Sequence, residues 1–588
     1  MNKRTGLMLL IIAVSLAGTM RFAAAKPIDQ NIDLLPGWNA VFLEVEPTDS
    51  APAAVFASLG ADLQSVWAWN ANAGTVEFIQ NPNLLIESGP QMLSYQPGNT
   101  IVTNLHAIHG NQAYLIKMND PITGNSTLTI NGEPKVPHTN WKPNSFNFVG
   151  FHLDADFPPL FHDFFAPSSA HNGDFITGRN TPEIYVLDNA TSSWVEVPMP
   201  SDPIKPSDVM KKGQGFWVYT QGSSTFNGPV SVQLERGDGL HYGDTLTTQD
   251  VVFKNDSQND PQLISLSLSA GAPADVLYYW NLNTENIFEW AAFPPVDLDI
   301  ALGESQRLTL GVKRAGLTSA DLLAANIDVT DGAGTTFQIP LSVNGIDFAG
   351  LWVGQAVVNK VNQPSLDNIA TPEVEPESIA PLNTGSEFSF RIIVHLDNTG
   401  QAKLLSQVIQ MWDKDIPGPV LFTDDALIPN YSGSTLRDGK PVGRRISAPA
   451  FHKFKPSLLA PVGAFGQQSV EGVGGVLTTT LLLPANDATN PFIHRYHPDH
   501  LVPILGDPVP ENNTPEDQVY AINREIKITF ADQDADLNNI VGSSGLGWGS
   551  SDMGGIYEEK ITGLHKDDLY IKGTFLLHRV STKGSLEQ

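Results

Sequence analysis

Residues 26–136 and 137–236 carry nearly the same pattern twice. Leu35-Pro36-Gly37-Trp38-Asn39-Ala40-Val41-Phe42-Leu43 returns as Pro143-Asn144-Ser145-Phe146-Asn147-Phe148-Val149-Gly150-Phe151. The later runs of each copy keep the same order. Val66, Trp67 and Trp69 answer to Ile184, Tyr185 and Leu187, and Val76–Ile79 to Trp194–Val197. Gln112–Ile116 answers to Gln214–Val218, and each copy closes on a Ser-Thr then Asn-Gly step, Ser126 to Gly132 and Ser224 to Gly228. A period of about 100 residues is too long for a solenoid unit, so the pattern implies a duplicated domain. Trp38 is expected to superpose on Phe146 and Tyr114 on Phe216, all four buried.

The rest of the chain points to the same fold class, all-β, as several β-sandwich-like domains in tandem. Of 588 residues, 41% are apolar and only 16% charged, and the 50 Gly and 43 Pro punctuate short apolar runs. Leu263–Leu268, Leu308–Val312 and Phe390–Val394 are such runs, alternating or continuous as sandwich strands are. A third unit, 237–346, has strand signals dense enough for an immunoglobulin-like sandwich, without the Cys-Trp-Cys core. A larger β-rich module, 347–588, is interrupted by Pro/Asp/Asn-rich stretches at Gln363–Glu387 and Pro484–Asp517, which read as long loops. Helix signals are few, at Thr318–Ala325 and Ala402–Gln410.

Residues 1–25 have the form of a secretory signal: a basic start at Lys3 and Arg4, an apolar stretch Leu7–Leu16, and Ala23-Ala24-Ala25 for cleavage before Lys26. The protein is therefore expected to be secreted or periplasmic. The apolar stretch is too short to span a bilayer. With no cysteine, disulfides and thiolate metal sites are excluded. The net charge is −29, and losing the three basic residues of the signal makes it −32. Such a chain repels nucleic acid and anionic membranes and attracts divalent cations or simply stays soluble. Duplicated β modules on an exported chain usually bind or space things, so an extracellular polymer or cell-surface component is the expected partner.

The Gly-Trp-Asn strand, the aromatic strand pair and the closing Gln-Gly/Ala-aromatic strand resemble a repeat common in secreted bacterial proteins of a family without an assigned function. Gly350–Gly354, Asn490–His500 (with its His-Arg-Tyr-His-Pro-Asp-His segment) and Gly563–Lys566 resemble the C-terminal module that accompanies it. The chain departs from the repeat at Ser145-Phe146, where Gly-Trp is expected. The resemblance carries over no catalytic residue.

Three sets of residues could carry chemistry. His494, His497 and His500, with Asp499 beside them, offer imidazoles for a transition metal. Pro498 biases His497 toward an extended backbone. In polyproline geometry His494 and His500 would stand about 19 Å apart. One ion would then need a turn near Pro498 or outside ligands such as His452 or His565. A loop packed on the domain through these side chains is the structural alternative. Asp532, Asp534, Asp536 and Asn538 alternate as calcium ligands do, although Leu537 and Ser543 stand where an EF-hand needs Gly and Glu. Three carboxylates so close repel unless a cation, calcium first, neutralises them; otherwise the run is a solvated loop. Trp38, Trp67, Trp69, Trp141, Trp194 and Trp217 could stack on sugars if exposed, but the strand pattern places them in the core.

No Gly-x-Ser-x-Gly elbow, His-Glu-x-x-His helix or Walker loop is present. The residues thus favour a non-catalytic binding, adhesive or structural exoprotein. The alternative is a carbohydrate-active enzyme or sugar-binding protein in which Pro484–Asp517 lines a cleft with Asp532, Asp534 and Glu558 or Glu559.

Overall fold

The computed structural model describes residues 26–70, 92–124, 126–171, 183–197, 208–271, 276–293, 295–314, 317, 320–362, 380–398, 402–404, 476–483, 522–562 and 568–585, with two-residue strands at 420–421, 436–437, 440–441 and 445–446. The chain is built almost wholly of β-strands in several separate sheets, as tandem all-β domains are. No helix among the described residues is long and apolar enough to cross a membrane.

The first repeat holds β1 (Ile28–Asp33), β2 (Gly37–Leu43), β3 (Val45–Pro47), α1 (Pro52–Val55), a 3-10 turn (Ala57–Asp62), β4 (Leu63–Trp69), β5 (Met92–Tyr95), β6 (Gln112–Met118) and β7 (Thr127–Pro134). Its main sheet runs β2-β6-β4-β5, and β1-β7-β3 forms a second. The next repeat holds β8 (Ser145–Val149), α2 (Phe161–Phe165), β9 (Ile184–Asp188), β10 (Ser193–Glu196) and β11 (Phe216–Thr220), in the matching order β8-β11-β9-β10. Register repeats too. Trp38 pairs with Lys117 as Phe146 pairs with Tyr219, and Val41 with Tyr114 as Val149 with Phe216. Trp38, Tyr114 and Phe216 are buried, but Phe146 is only half-buried. Val76–Ile79 lies outside the described residues. Beside β4, the place that β10 takes beside β9 is held by β5.

Alternation explains how these sheets stack. One face of each covers its own repeat: Val41, Leu43, Val66, Tyr114 and Ile116 in the first, Ile184, Phe216 and Val218 in the next. The opposite faces meet each other. Trp38, Phe42, Trp67, Ala113 and Leu115 pack with Phe148, Leu187, Trp194 and Trp217 in one cluster. The approach is close at Gly150, where an added Cβ would fall 2.3 Å from the Phe42 ring.

The closing strands differ. While β7 returns to its own repeat, β12 (Val230–Leu234) pairs with β14 of the third unit, across the 236/237 boundary. That unit holds β13 (Leu240–Gly243), β14 (Thr248–Asn255), β15 (Gln262–Leu268), β16 (Leu277–Leu282), β17 (Phe288–Ala292), β18 (Val296–Ile300), β19 (Ser305–Val312), β20 (Leu322–Thr330) and β21 (Thr336–Asn344). Sheets β12-β14-β19-β16-β17 and β13-β21-β20-β15-β18 enclose one core. The β14–β19 neighbours and the β15-β20-β21 set correspond to the B–E and C–F–G pairings of an immunoglobulin-like sandwich. β13 runs parallel to β21. The helix expected at Thr318–Ala325 is replaced from Leu322 by strand β20. Leu323, Ala325, Ile327 and Val329 all point inward there, a period of two that overrides the helix propensity of Leu and Ala.

The C-terminal module holds β22 (Gly350–Asn362), β23 (Pro381–Leu396), β24 (Ala402–Leu404), β25 (Val420–Leu421), β26 (Leu436–Arg437), β27 (Lys440–Pro441), β28 (Arg445–Ile446), β29 (Val476–Leu483), β30 (Ile522–Phe530), β31 (Asp552–Thr562) and β32 (Leu569–Ser581). Seven of these make an antiparallel sheet, β24-β23-β22-β32-β31-β30-β29, with the pairs β25–β28 and β26–β27 apart. Ala402–Leu404 is an edge strand beside β23 in place of the start of the expected helix; 405–410 lie outside the described residues. Pro381–Glu387 belongs to β23, so the expected loop from Gln363 ends earlier.

Candidate functional site

The polar groups that could have formed a catalytic cleft are engaged with one another. Glu559 is buried on β31, ion-paired with the buried Arg524 of β30, and accepts a 2.6 Å hydrogen bond from the Tyr557 hydroxyl. Burial opposes the Arg524 charge, but Glu559 beside it holds the guanidinium above its ordinary pKa. Burial likewise drives the Tyr557 hydroxyl up. Glu558, on the opposite face, lies 2.8 Å from Lys527 and 3.2 Å from Lys572. Partial burial would raise it, yet the two lysines hold it below the usual carboxylate range.

The acidic run is a tight turn after β30. The Asp534 carboxylate accepts backbone N–H bonds from Asp536 at 2.8 Å and Asn538 at 3.0 Å. These bonds outweigh the slight burial and lower its pKa. Leu537 has φ +65°, as such a reversal requires. Asp536 reaches Lys360 at 2.7 Å. Amide donors and a lysine thus offset the charges of Asp534 and Asp536. Among the described residues no group of three or more His, Asp or Glu converges to hold a metal ion. His494, His497 and His500, with His452, His565 and Pro484–Asp517, lie outside the described residues.

A buried polar cluster that sequence reasoning missed ties the second repeat together. Ser168 Oγ lies 2.8 Å from His171 Nδ1, and His171 Nε2 lies 3.3 Å from Thr220 Oγ1. Thr220 also accepts from Asn147 Nδ2. The Ser-His contact resembles a nucleophile and its base. However, the ring is packed 4.1 Å from Trp141, is buried and lies among Phe165 and Phe226, and burial lowers its pKa to about 4. It braces a core.

The repeat tryptophans form that core and the layer between repeats. Trp38, Trp67, Trp194 and Trp217 are buried, while Trp69 and Trp141 are half-buried against them or against Phe151. An accessible aromatic face among the described residues lies elsewhere, on the β16–β17 hairpin. Here Tyr278, Trp280 and Leu282 point outward from β16, and Phe288 and Trp290 from β17. Inward-facing Leu277, Tyr279 and Phe293 already cover the sandwich core. Apolar residues of both parities on two strands with one buried face were the signal that could have located this site. Trp280 is 39% exposed, Leu282 47% and Phe288 57%.

The hairpin is firmly held. At its turn Asn283 Oδ1 accepts from the N–H groups of Glu285 and Ile287, each at 2.9 Å, and Asn286 has φ +60°. Trp290 donates its indole N–H to the Ser544 carbonyl at 2.6 Å. Ser544 and Leu546 belong to the loop that continues from the acidic turn, and Leu546 packs with the Trp290 ring over Gly311. Trp280 and Phe288 stand parallel to within 3°, 6.1 Å apart, and Trp290 meets Trp280 edge-on at 5.0 Å.

Comparison with family models, with curated proteins and with solved structures finds no match to the chain.

Proposed function

We propose that the protein is a secreted, non-catalytic modular exoprotein that binds an extracellular polymer or cell-surface component through the aromatic face of the β16–β17 hairpin. One observation carries this reading: Trp280, Leu282 and Phe288 stand in solvent on a rigid hairpin. Meanwhile the carboxylates Glu558, Glu559, Asp534 and Asp536 are bound in ion pairs or turns. A contiguous exposed apolar face marks an interaction surface, and aromatic side chains concentrate binding energy in such surfaces. The enzyme alternative needs carboxylates free to act at a cleft, whereas Glu558, Glu559 and Asp534 of its proposed set are held in ion pairs or a turn.

The test is retention of the purified protein by the extracellular matrix of its producing culture. A Trp280→Ala/Phe288→Ala double variant should be released at concentrations that keep the wild type bound, with its unfolding midpoint nearly unchanged. Equal retention of both proteins would refute a binding role for this face, and new reducing ends appearing in the matrix on incubation with wild type would refute the non-catalytic reading.

A further inference from the structure

We infer that the polymer taken by this face is a neutral polysaccharide, its sugar rings stacking on Trp280 and Phe288; this rests on the binding role just proposed. Three features of the hairpin select that chemistry. The first is the kind of apolar surface. An aromatic ring has a negative face and a positive edge, so it attracts the weakly positive C–H groups on one side of a pyranose while the hydroxyls stay in water. Trp280 and Phe288 stack on one another, parallel to within 3° with centroids 6.1 Å apart, and the exposed outer surface of this pair is what a sugar ring would meet. Second, the face is set before binding. The Ser544 carbonyl fixes Trp290, which packs edge-on against Trp280, and the Asn283 turn fixes the strand ends, so little side-chain freedom is lost when ligand arrives. The third is charge. The chain carries −29, and Glu285 and Glu289 stand exposed on the same hairpin, so a polyanionic polymer would be repelled.

The experiment uses the full chain in two arms. In affinity electrophoresis it is run through gels containing hydroxyethylcellulose, a β-1,3-glucan, xylan, dextran or the polyanion alginate. In the other arm it is bound to matrix left intact, digested with protease, or oxidised with periodate. The wild type should be retarded by at least one neutral polysaccharide and not by alginate. Trp280→Ala and Phe288→Ala should each weaken that binding about tenfold or more, and Trp280→Phe should restore much of it. Matrix binding should survive protease and be lost after periodate. Loss to protease with survival of periodate would identify a protein partner, leaving the binding role intact and ending this inference. Free passage through every neutral gel with periodate-resistant matrix binding would also end it. Unchanged binding by both alanine variants would remove the binding role itself.

Discussion

Asn39 and Asn147 show what the recurring strand motif is for. Asn39 accepts from the Leu35 N–H at 2.8 Å and donates to the Leu35 and Gly37 carbonyls, closing the turn before β2. Asn147 does the same with Lys142 and Ser145 and adds Thr220. The turn residue of positive φ is Gly37 (+82°) in one copy and Asn144 (+50°) in the other, which explains how Ser145 can stand where Gly is expected. Asn147→Ala should strand several buried backbone groups and cost about 1–3 kcal/mol. Asn39→Ala should cost less, since its fourth bond, accepted from Asn189, is 3.4 Å long against 2.9 Å for the Asn147–Thr220 bond; thermal unfolding of the two variants checks the order.

Glu44 carries a pH dependence at the contact between repeats. Its carboxylate is buried with Lys212 3.4 Å away, and burial outweighs the lysine to raise its pKa to about 7. His152, buried and bonded to Asn111, faces the same lysine, and burial lowers its pKa to about 3. The folded state therefore binds a proton on Glu44 more tightly than the unfolded chain does. The stability this gives is full below pH 4.5 and is lost as pH rises through about 7. His152 has the opposite sign, losing stability as pH falls below 6.5. Glu44→Gln should therefore stabilise the protein at pH 8, by about 3 kcal/mol at most, with little effect at pH 4.5. A variant no more stable than wild type at pH 8 would show that Lys212 fully compensates the buried charge.

At the scale of elements, periodicity made most of the fold legible. Repeated order and register came from the duplicated apolar pattern, because a shift of one residue would turn Trp38 and Val41 to the wrong layers. Four things were not fully legible. A strand begun by helix-forming Leu322-Leu323-Ala324-Ala325 is chosen by the layer beneath it, not by local propensity. The gift of β12 to the next sheet depends on which partner edge is nearest, which no local signal encodes. The site was legible only in part: tryptophan was the right residue type, but its abundance pointed to the repeats, where two sheets with two apolar faces each bury it. Neutralisation of the acidic turn by Lys360, 176 residues from its partner Asp536 in sequence, was equally hidden. Thermal unfolding with chelator and with added calcium tests the calcium reading of this turn: a midpoint that rises by several degrees on calcium addition is expected if Asp532, Asp534, Asp536 and Asn538 take an ion. The same midpoint in both would leave the run a turn held by amides and Lys360 alone. Within the C-terminal sheet, Glu559→Gln should be strongly destabilising, about 3–5 kcal/mol, since it leaves the buried Arg524 uncompensated.

Among the described residues the aromatic side chains of the repeats and of the third unit serve two uses. Most fill cores, and in the repeats also join one sheet to the next; those of the β16–β17 hairpin stand on the end of a sheet, held by a loop of the C-terminal module. That division supports a protein that spaces and presents a binding face, with its acidic surface keeping it soluble. Hydroxyl-radical footprinting of the full chain, read by mass spectrometry at each aromatic residue, tests the division most directly. Trp280 and Phe288 should be oxidised rapidly, and Trp38, Trp67, Trp194 and Trp217 should be protected until the protein unfolds. Protection of Trp280 and Phe288 in the free protein, or rapid oxidation of the four repeat tryptophans, would contradict it.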